Sequence, residues 1–363
     1  MNYTYTLSDY LNDRKTIIKQ SKKSNIIGLK DLENIINRIK EIKEENKENN
    51  NIVVDFTEYN PLHKGHKYAL NFGKEYGIFV SILPGPLERS GRGIPYFLNR
   101  EFRKDLALLA GVDLVIEGPP MGIMGSGQYM LCLIKLFHKI GGNIIVRGYI
   151  PEKPMESIIK YINDGYHIGV KPYNIHIIEK KEKICEKLEI DNYVIGAMSQ
   201  TIYKLNRKYG LNYKPKFIFV KRIEGISGTK IREEISKGNL QSVKSQLPKT
   251  TFSLLWECHL NNILQDYILK RFEDRILETV NEYRDCLVNY IPENVARALK
   301  SKKGYNNLDE IRNNIPKTFS KNQYNRILSM LECRLDKTII SEYVENYPNI
   351  KILGINDKYR KIL

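Results

Sequence analysis

Two short groups of residues in this chain have the types and the spacing to hold a polyphosphate. The first is His63-Lys64-Gly65-His66, preceded by Glu58-Tyr59-Asn60-Pro61-Leu62. Two imidazoles three residues apart share one helical face, and both can donate to phosphate oxygens. Gly65 between them removes a side chain where a flat base could pack on the backbone. The second group is Ser227-Gly228-Thr229-Lys230-Ile231-Arg232. Ser227 or Thr229 can cap a helix and also hydroxyl-bond a phosphate. Lys230 and Arg232 supply charge that a departing pyrophosphate needs. Taken singly, each group also fits a capped surface helix. Their presence together in one chain favours the phosphate site.

Both groups need a strand that feeds a helix, because that junction gathers unpaired N–H groups and the positive end of the helix dipole. The chain supplies two such junctions. Residues 52–56 are an apolar run that reads as a buried strand, followed by a turn and the helix that carries His63 and His66. Residues 217–221 read as a strand, with a helix over 229–237. Between them, strands over 78–83, 112–117 and 143–147 alternate with helices over 99–110, 128–140 and 191–209. This order predicts an α/β fold with a doubly wound parallel sheet, helices on both faces. Ligands of such sheets bind beyond the carboxyl ends of the strands. Segments 58–66, 84–95, 118–127, 148–151 and 222–229 are therefore expected to line one crevice.

Three domains are expected. Residues 1–50 form an N-terminal helical extension, with apolar spacing that predicts a helix over 31–47 and a hydrophilic linker over 44–51. Residues 51–240 form the phosphate-binding domain. Residues 241–363 lose the strand signals and read as all-helical. The net charge of +16 favours an anionic partner, nucleic acid first. The cations Lys300, Lys302, Lys303, Arg312, Lys317, Lys321 and Arg326 stand against only Asp309 and Glu310, with Tyr305, Phe319 and Tyr324 interleaved. Cations for a backbone and aromatics for unstacked bases suit RNA. The five cysteines never form Cys-x-x-Cys, so neither a zinc site nor a disulfide framework is expected. No run of about eighteen apolar residues and no signal-peptide core is present, which predicts a soluble cytoplasmic protein with no membrane partner.

The two phosphate groups resemble the signatures of the HIGH-motif nucleotidyltransferases, whose fold is Rossmann-like. The likeness is closest to the tRNA(Met) cytidine acetate ligases. Residues 58–66 look like that family's Glu-Tyr-Asn-Pro-Phe-His-Asn-Gly-His element, and Gly111-Val112-Asp113-Leu114-Val115-Ile116-Glu117 like its Gly-Val-Asp-Leu-Val-x-Glu run. Asn192-Tyr193-Val194-Ile195-Gly196 matches its Asn-x-Ile-Leu-Gly, and Ile352-Leu353-Gly354-Ile355-Asn356 resembles its closing Val-Leu-Gly-Phe-Asn. The resemblance covers roughly residues 52–363. It departs at residues 1–50, at Ile94 where the family has Glu, at Gly228, and at Arg147-Gly148-Tyr149-Ile150 where the family usually has Phe-Gly-Ser-Glu.

The resemblance implies an enzyme that uses ATP, with Mg²⁺ on its phosphates, to adenylate a small carboxylate. Acetate is favoured. The acyl group then passes to the wobble cytidine of elongator tRNA(Met). It also implies ATP contacts at Phe56, Thr57, Glu58, Tyr59, Asn60, Pro61, Gly65, Gly148, Asn192, Ser227 and Thr229, with His63, His66, Arg222, Lys230 and Arg232 in catalysis. No general base is assignable, although Glu117 and Asp55 are candidates. Three alternatives stay open: a small-molecule adenylyltransferase, a ligase for a different carboxylate or tRNA position, and a non-catalytic RNA-binding protein with an ATP pocket.

Overall fold

The computed structural model describes residues 3–22, 29–45, 51–348 and 350–360. The central sheet has six strands: β1 (Asn51–Phe56), β2 (Gly77–Leu83), β3 (Leu114–Glu117), β4 (Ile144–Tyr149), β8 (Lys216–Lys221) and β9 (Ile352–Ile355). A separate three-stranded antiparallel sheet holds β5 (Ile168–Lys171), β6 (Asn174–Ile177) and β7 (Glu182–Cys185). The large sheet runs β8-β4-β1-β2-β3-β9, all parallel except β9. The chain leaves β1 in one direction through β2 and β3, then returns to the other side of β1 for β4 and β8. The order therefore reverses between β1 and β4, where an open sheet leaves a crevice at its carboxyl end.

Side-chain alternation explains why this sheet is buried on both faces. Ile52, Val54, Ile78, Val80, Leu114 and Ile116 join one apolar cluster, while Val53, Phe79 and Val115 join the other. Period-two runs with both sets apolar are what a two-sided parallel sheet needs. One face carries α3 (Lys64–Lys74) and α4 (Arg100–Leu109) through Leu70, Phe102 and Leu106. The other carries α5 (Ser126–Lys139) and α7 (Ile190–Tyr209) through Leu133, Phe137, Met198 and Ile202. Helix α6 (Lys153–Asn163) backs the small sheet, where Met155 and Ile158 pack with Ile168 and Ile175.

Two helices, not one, occupy the N-terminal stretch. Helix α1 (Leu7–Ser21) opens with a reciprocal cap between Thr6 and Asp9, and α2 (Leu29–Glu45) covers most of the expected helix. Tyr10 and Ile17 of α1 share a buried cluster with Leu32, Ile36 and Ile39 of α2. Arg14 donates to the carbonyls of Cys333 and Arg334 at 2.8 and 2.9 Å. Asp13 accepts from the Leu87 amide and pairs with Arg100 at 3.1 Å. The stretch is thus built into the junction between sheet and C-terminal helices. Residues 46–50 of the expected linker lie outside the described residues.

The C-terminal part is helical through Asn346, around a core of Ile276, Val280, Leu287, Val295, Leu299 and Leu331. The expectation of an all-helical end is corrected by β9, which pairs antiparallel with β3 and closes the sheet edge. One buried carboxylate joins the halves. Glu332 receives Arg89 Nε at 2.8 Å, Arg271 Nη1 at 3.1 Å and the Phe272 amide at 2.8 Å. All five cysteines are free thiols, and no helix among the described residues is long and apolar enough to cross a membrane.

Candidate active site

The turn after β1 brings His63 to the N-cap of α3 in an extended conformation. His63 Nδ1 accepts the His66 amide at 3.4 Å, and His66 Nδ1 accepts the His63 amide at 3.3 Å. This capping box leaves each ring its Nε2 as the proton-bearing nitrogen in the neutral form. The rings stack, centroids 3.7 Å apart and tilted by 13°. A Cβ on Gly65 would come within 3.1 Å of the His63 ring, so the glycine makes room for that imidazole.

Neither imidazole behaves as a surface group. Burial pushes His63 down to about 4, helped by the nearby Arg222 and Arg232 guanidinium groups. Burial also holds His66 well below the usual range, with His63, Arg222 and Arg147 adding to the effect. At neutral pH both are uncharged Nε2–H donors, and the positive charge on the cleft wall comes from Arg147, Lys221 and Arg222.

The second phosphate group meets the first. Ser227 caps α8 (Gly228–Ser236) by accepting the Lys230 amide at 3.4 Å. Arg232 donates from Nη1 to the Asn60 carbonyl at 2.9 Å and from Nη2 to Thr229 Oγ1 at 3.1 Å. It thereby ties α8 to the turn ahead of α3. The position a Cβ would take on Gly228 is 3.3 Å from Arg232 Nη1 and 3.8 Å from His63 Nε2. Two helix N-termini and one imidazole donor converge there, an arrangement suited to anionic oxygens.

The cleft at the β1/β4 crossover has a volume of about 170 Å³. Among its lining residues are Thr57, His63, Gly65, His66, Gly148 and Arg222, together with Asp55, Arg147 and Asp191. Arg222 pairs with Asp191 at the start of α7. Arg147 donates from Nη1 to the Phe56 carbonyl at 2.8 Å and more loosely to Asp55 Oδ1 at 3.4 Å. Burial raises Asp55 despite Arg147 and a 2.8 Å bond from Thr57.

Other expected site residues stand around this cleft rather than in it. Phe56 packs on Tyr129 and lends only its carbonyl to Arg147. Tyr59 is buried, edge-on to His66, and leads into the cis Asn60-Pro61 bond. Asn60 Oδ1 accepts the Phe97 amide at 2.6 Å. Burial pushes the Glu58 carboxyl up, against Arg103, Arg92 and Arg232. Lys230 is exposed and does not line the cleft. Asn192 is fully buried, and its amide exchanges bonds of 2.9 and 2.8 Å with both backbone groups of Ile150. It holds the loop after β4 instead of lining the cleft. Glu117 pairs with Arg100 at 3.0 Å and Lys351 at 3.4 Å, which fixes it as a strand-end anchor.

The crevice is narrower than the strand pattern predicted. Segments 84–95 and 118–127 follow β2 and β3, on the side away from the crossover, and do not line the cleft. The first is locked to the C-terminal half, where Ser329 Oγ donates to the Gly93 carbonyl at 2.9 Å. Arg147 was legible only as a departure from a family motif. Asp191 carried no local signal, because its partner Arg222 lies 31 residues away.

The basic cluster over 300–326 is divided. Lys300, Lys302, Lys303, Arg312, Lys317 and Lys321 are exposed, and Arg326 is half-buried. Lys302 pairs with Glu310 at 2.6 Å, and Lys300 lies 3.8 Å from Asp285. The expected stacking aromatics are not free. Tyr305 is buried and donates to the Leu299 carbonyl at 2.9 Å, while Phe319 and Tyr324 pack on the helical core. Their periodicity served the core, and what remains on the surface is charge.

Comparison with known proteins agrees with this geometry. Residues 50–148 match the HIGH Nucleotidyl Transferase family, and residues 150–354 match the Cytidyltransferase-related C-terminal region. An uncharacterized protein of Methanocaldococcus jannaschii is 59% identical over 350 residues, covering 96% of this chain and 97% of the relative. The tRNA(Met) cytidine acetate ligase of Clostridium novyi is 29% identical over 360 residues, covering 86% of each. The crystal structure of Thermotoga maritima TmcAL bound with alpha-thio ATP shares the fold, with a TM-score of 0.66 at 17% identity over 86% of this chain and 82% of that one. The two matched regions meet within β4, so the β1/β4 crossover draws on both. With paired histidines on one helix start, a basic helix start facing them and both regions matched in order, the chain belongs to the HIGH nucleotidyl transferases that carry a cytidyltransferase-related C-terminal region.

Proposed function

We propose that this protein is an ATP-dependent tRNA-modifying ligase that adenylates a small carboxylate, acetate favoured, and transfers the acyl group to the wobble cytidine of elongator tRNA(Met). The observation that carries the reading is the convergence of His63 Nε2, the start of α8 and Arg232 beside the β1/β4 cleft. The likeness over most of the chain to tRNA(Met) cytidine acetate ligases supports the choice of substrates.

ATP would place its triphosphate between the two helix starts. The neutral Nε2–H groups of His63 and His66 would donate to the oxygens around the α-phosphate, and Arg222 and Arg232 would offset charge on the leaving pyrophosphate. Lys230 could approach only from the outer rim. Mg²⁺ belongs to the proposal as an ion carried on the triphosphate. The nearest carboxylates, Asp55 and Asp191, are each engaged by an arginine. A carboxylate oxygen of the acid attacks the α-phosphorus, the bond to the bridging oxygen breaks, and pyrophosphate departs. The exocyclic amine of cytidine then attacks the acyl carbonyl, AMP leaves with the bonding pair, and the amine loses a proton. Preaimed donors of this kind contribute about 3 kcal/mol each in other enzymes.

An unstacked base reaches a narrow cleft more readily than a paired one, which suits an anticodon loop. The exposed lysines over 300–326 are proposed to hold the tRNA backbone by charge alone. The test is nucleoside mass spectrometry of tRNA(Met) from cells with and without the protein. An acylated cytidine at the wobble position that disappears with the gene supports the reading, and an unchanged nucleoside profile rejects it.

A further inference from the structure

Arg147 lines the cleft without using all of its donors. Its side chain is 13% exposed, and Nη1 is spent on the Phe56 carbonyl and Asp55. Nε is buried and has no hydrogen-bond partner. A guanidinium offers five N–H groups in a fixed fork, and leaving a buried charged donor unmet is costly.

Other buried arginines of this fold show what a purely structural one looks like. Arg103 uses Nε on the Leu98 carbonyl, Nη1 on the Glu58 carbonyl and Nη2 on Glu88 and the Pro84 carbonyl. Arg89 spends Nε and Nη2 on Glu332 and Nη1 on the Glu88 carbonyl. The Arg100 nitrogens that lack hydrogen bonds still lie 3.0 and 3.7 Å from the Glu117 and Glu88 carboxylates. Arg147 instead lines the cleft with Thr57, His66 and Gly148 and leaves Nη2 without a hydrogen bond.

We infer that Arg147 anchors the anionic group of the second substrate, by donating from Nη2 to an oxygen of a carboxylate or phosphate. This inference rests on the proposed nucleotidyl-transfer reading of the same cleft. The other arginine on the cleft wall, Arg222, is held across the opening by Asp191 and sits on the His63 side, where the triphosphate is proposed. Asp55 has the complementary role. It accepts from Thr57 and Arg147 together, which fixes the guanidinium against the end of β1. A guanidinium held in a fixed plane this way is not reproduced by lysine, whose ammonium is a point charge.

The test separates affinity for the two substrates. ATP–pyrophosphate exchange driven by acetate, and its inhibition by inorganic phosphate, are measured in wild type, Arg147→Met and Arg147→Lys, with melting temperatures as the folding control. A carboxylate anchor predicts that Arg147→Met raises the acetate KM at least tenfold while the ATP KM stays within twofold. Arg147→Lys should recover only part of the loss. A phosphate anchor predicts instead that inhibition by inorganic phosphate weakens at least tenfold while the acetate KM holds. An equal rise in the ATP KM, or no change in either anion's effect, overturns the inference. If wild type exchanges with no carboxylic acid and transfers AMP to a phosphorylated acceptor, the ligase reading fails. The same KM comparison then runs on that acceptor and decides the role of Arg147 independently.

Discussion

His63 and His66 cap one helix reciprocally: each Nδ1 accepts the other's backbone amide, while the two rings stack 3.7 Å apart. That one relationship decides the tautomer, the charge and the aim of both side chains. It also means that the pair cannot be removed as though it were two surface histidines.

Alanine at either position should lower kcat/KM by about two to three orders of magnitude, the usual loss for one preaimed donor. His63→Ala also deletes a cap, at about 1 kcal/mol. His63→Asn restores a cap acceptor but not the Nε2 donor. We therefore expect near-native melting for His63→Asn with activity as low as in His63→Ala. Recovery of activity in the asparagine variant would show that His63 acts only through the helix.

Acid should destabilise the fold in a way traceable to these rings. Burial depresses His63 to about 4, so between that value and the ordinary histidine range the unfolded chain binds a proton that the folded chain does not. Stability then rises with pH across that window and is lost as pH falls below about 6.5, by on the order of 3 kcal/mol for His63 at the acidic limit. Urea titrations at pH 7.5 and 4.5 should show the difference, and His63→Asn should flatten it. An equal slope in the variant would assign the effect elsewhere.

Glu332 is fully buried among Arg89, Arg271 and the Phe272 amide. Replacing it with alanine strands two guanidinium groups and should cost about 3–5 kcal/mol in chemical denaturation. Because Arg89 belongs to the loop after β2, Glu332→Ala should also loosen residues 84–95, read as faster amide exchange there than at β1. Loss below 1 kcal/mol would contradict the account of how the halves are joined.

Charge reversal at Lys303 and Lys317 should weaken tRNA binding and flatten its salt dependence, by about one released counterion for each phosphate no longer neutralised. Lys302 is a poorer test, since Glu310 already engages it. ATP binding should be unaffected. Tyr305→Ala, by contrast, should lower stability rather than tRNA affinity, because the ring is core. Unchanged tRNA affinity in the double lysine variant across a salt series would move the RNA surface elsewhere.

The sheet and the phosphate helices were legible because their signals are local. Residues 52–56 and 217–221 are largely apolar runs, each followed within seven residues by a helix cap, His63 and Ser227. What the sequence concealed is relational. Arg222 with Asp191, Arg147 with Asp55, and Arg89 with Glu332 are each far apart along the chain. Strands β5 to β7 are four residues long, too short to register as a pattern. Strand β9 was read only as a family tail because its pairing partner β3 lies more than two hundred residues earlier. Tyr305 shows the opposite failure: an aromatic among lysines looked like a base platform, yet its neighbours in space are Leu299 and Asn314.

Adenylation of a carboxylate in this cleft should be visible as ATP–pyrophosphate exchange. Purified protein with Mg²⁺, ATP and labelled pyrophosphate should incorporate label into ATP when acetate or another short acid is added, with or without tRNA(Met). His66→Ala should abolish the incorporation. A graded preference among acids is expected, since each methylene changes binding by only about 1–3 kcal/mol. No incorporation with any acid, in the presence or absence of tRNA, together with AMP transfer to a phosphorylated acceptor, would contradict the account.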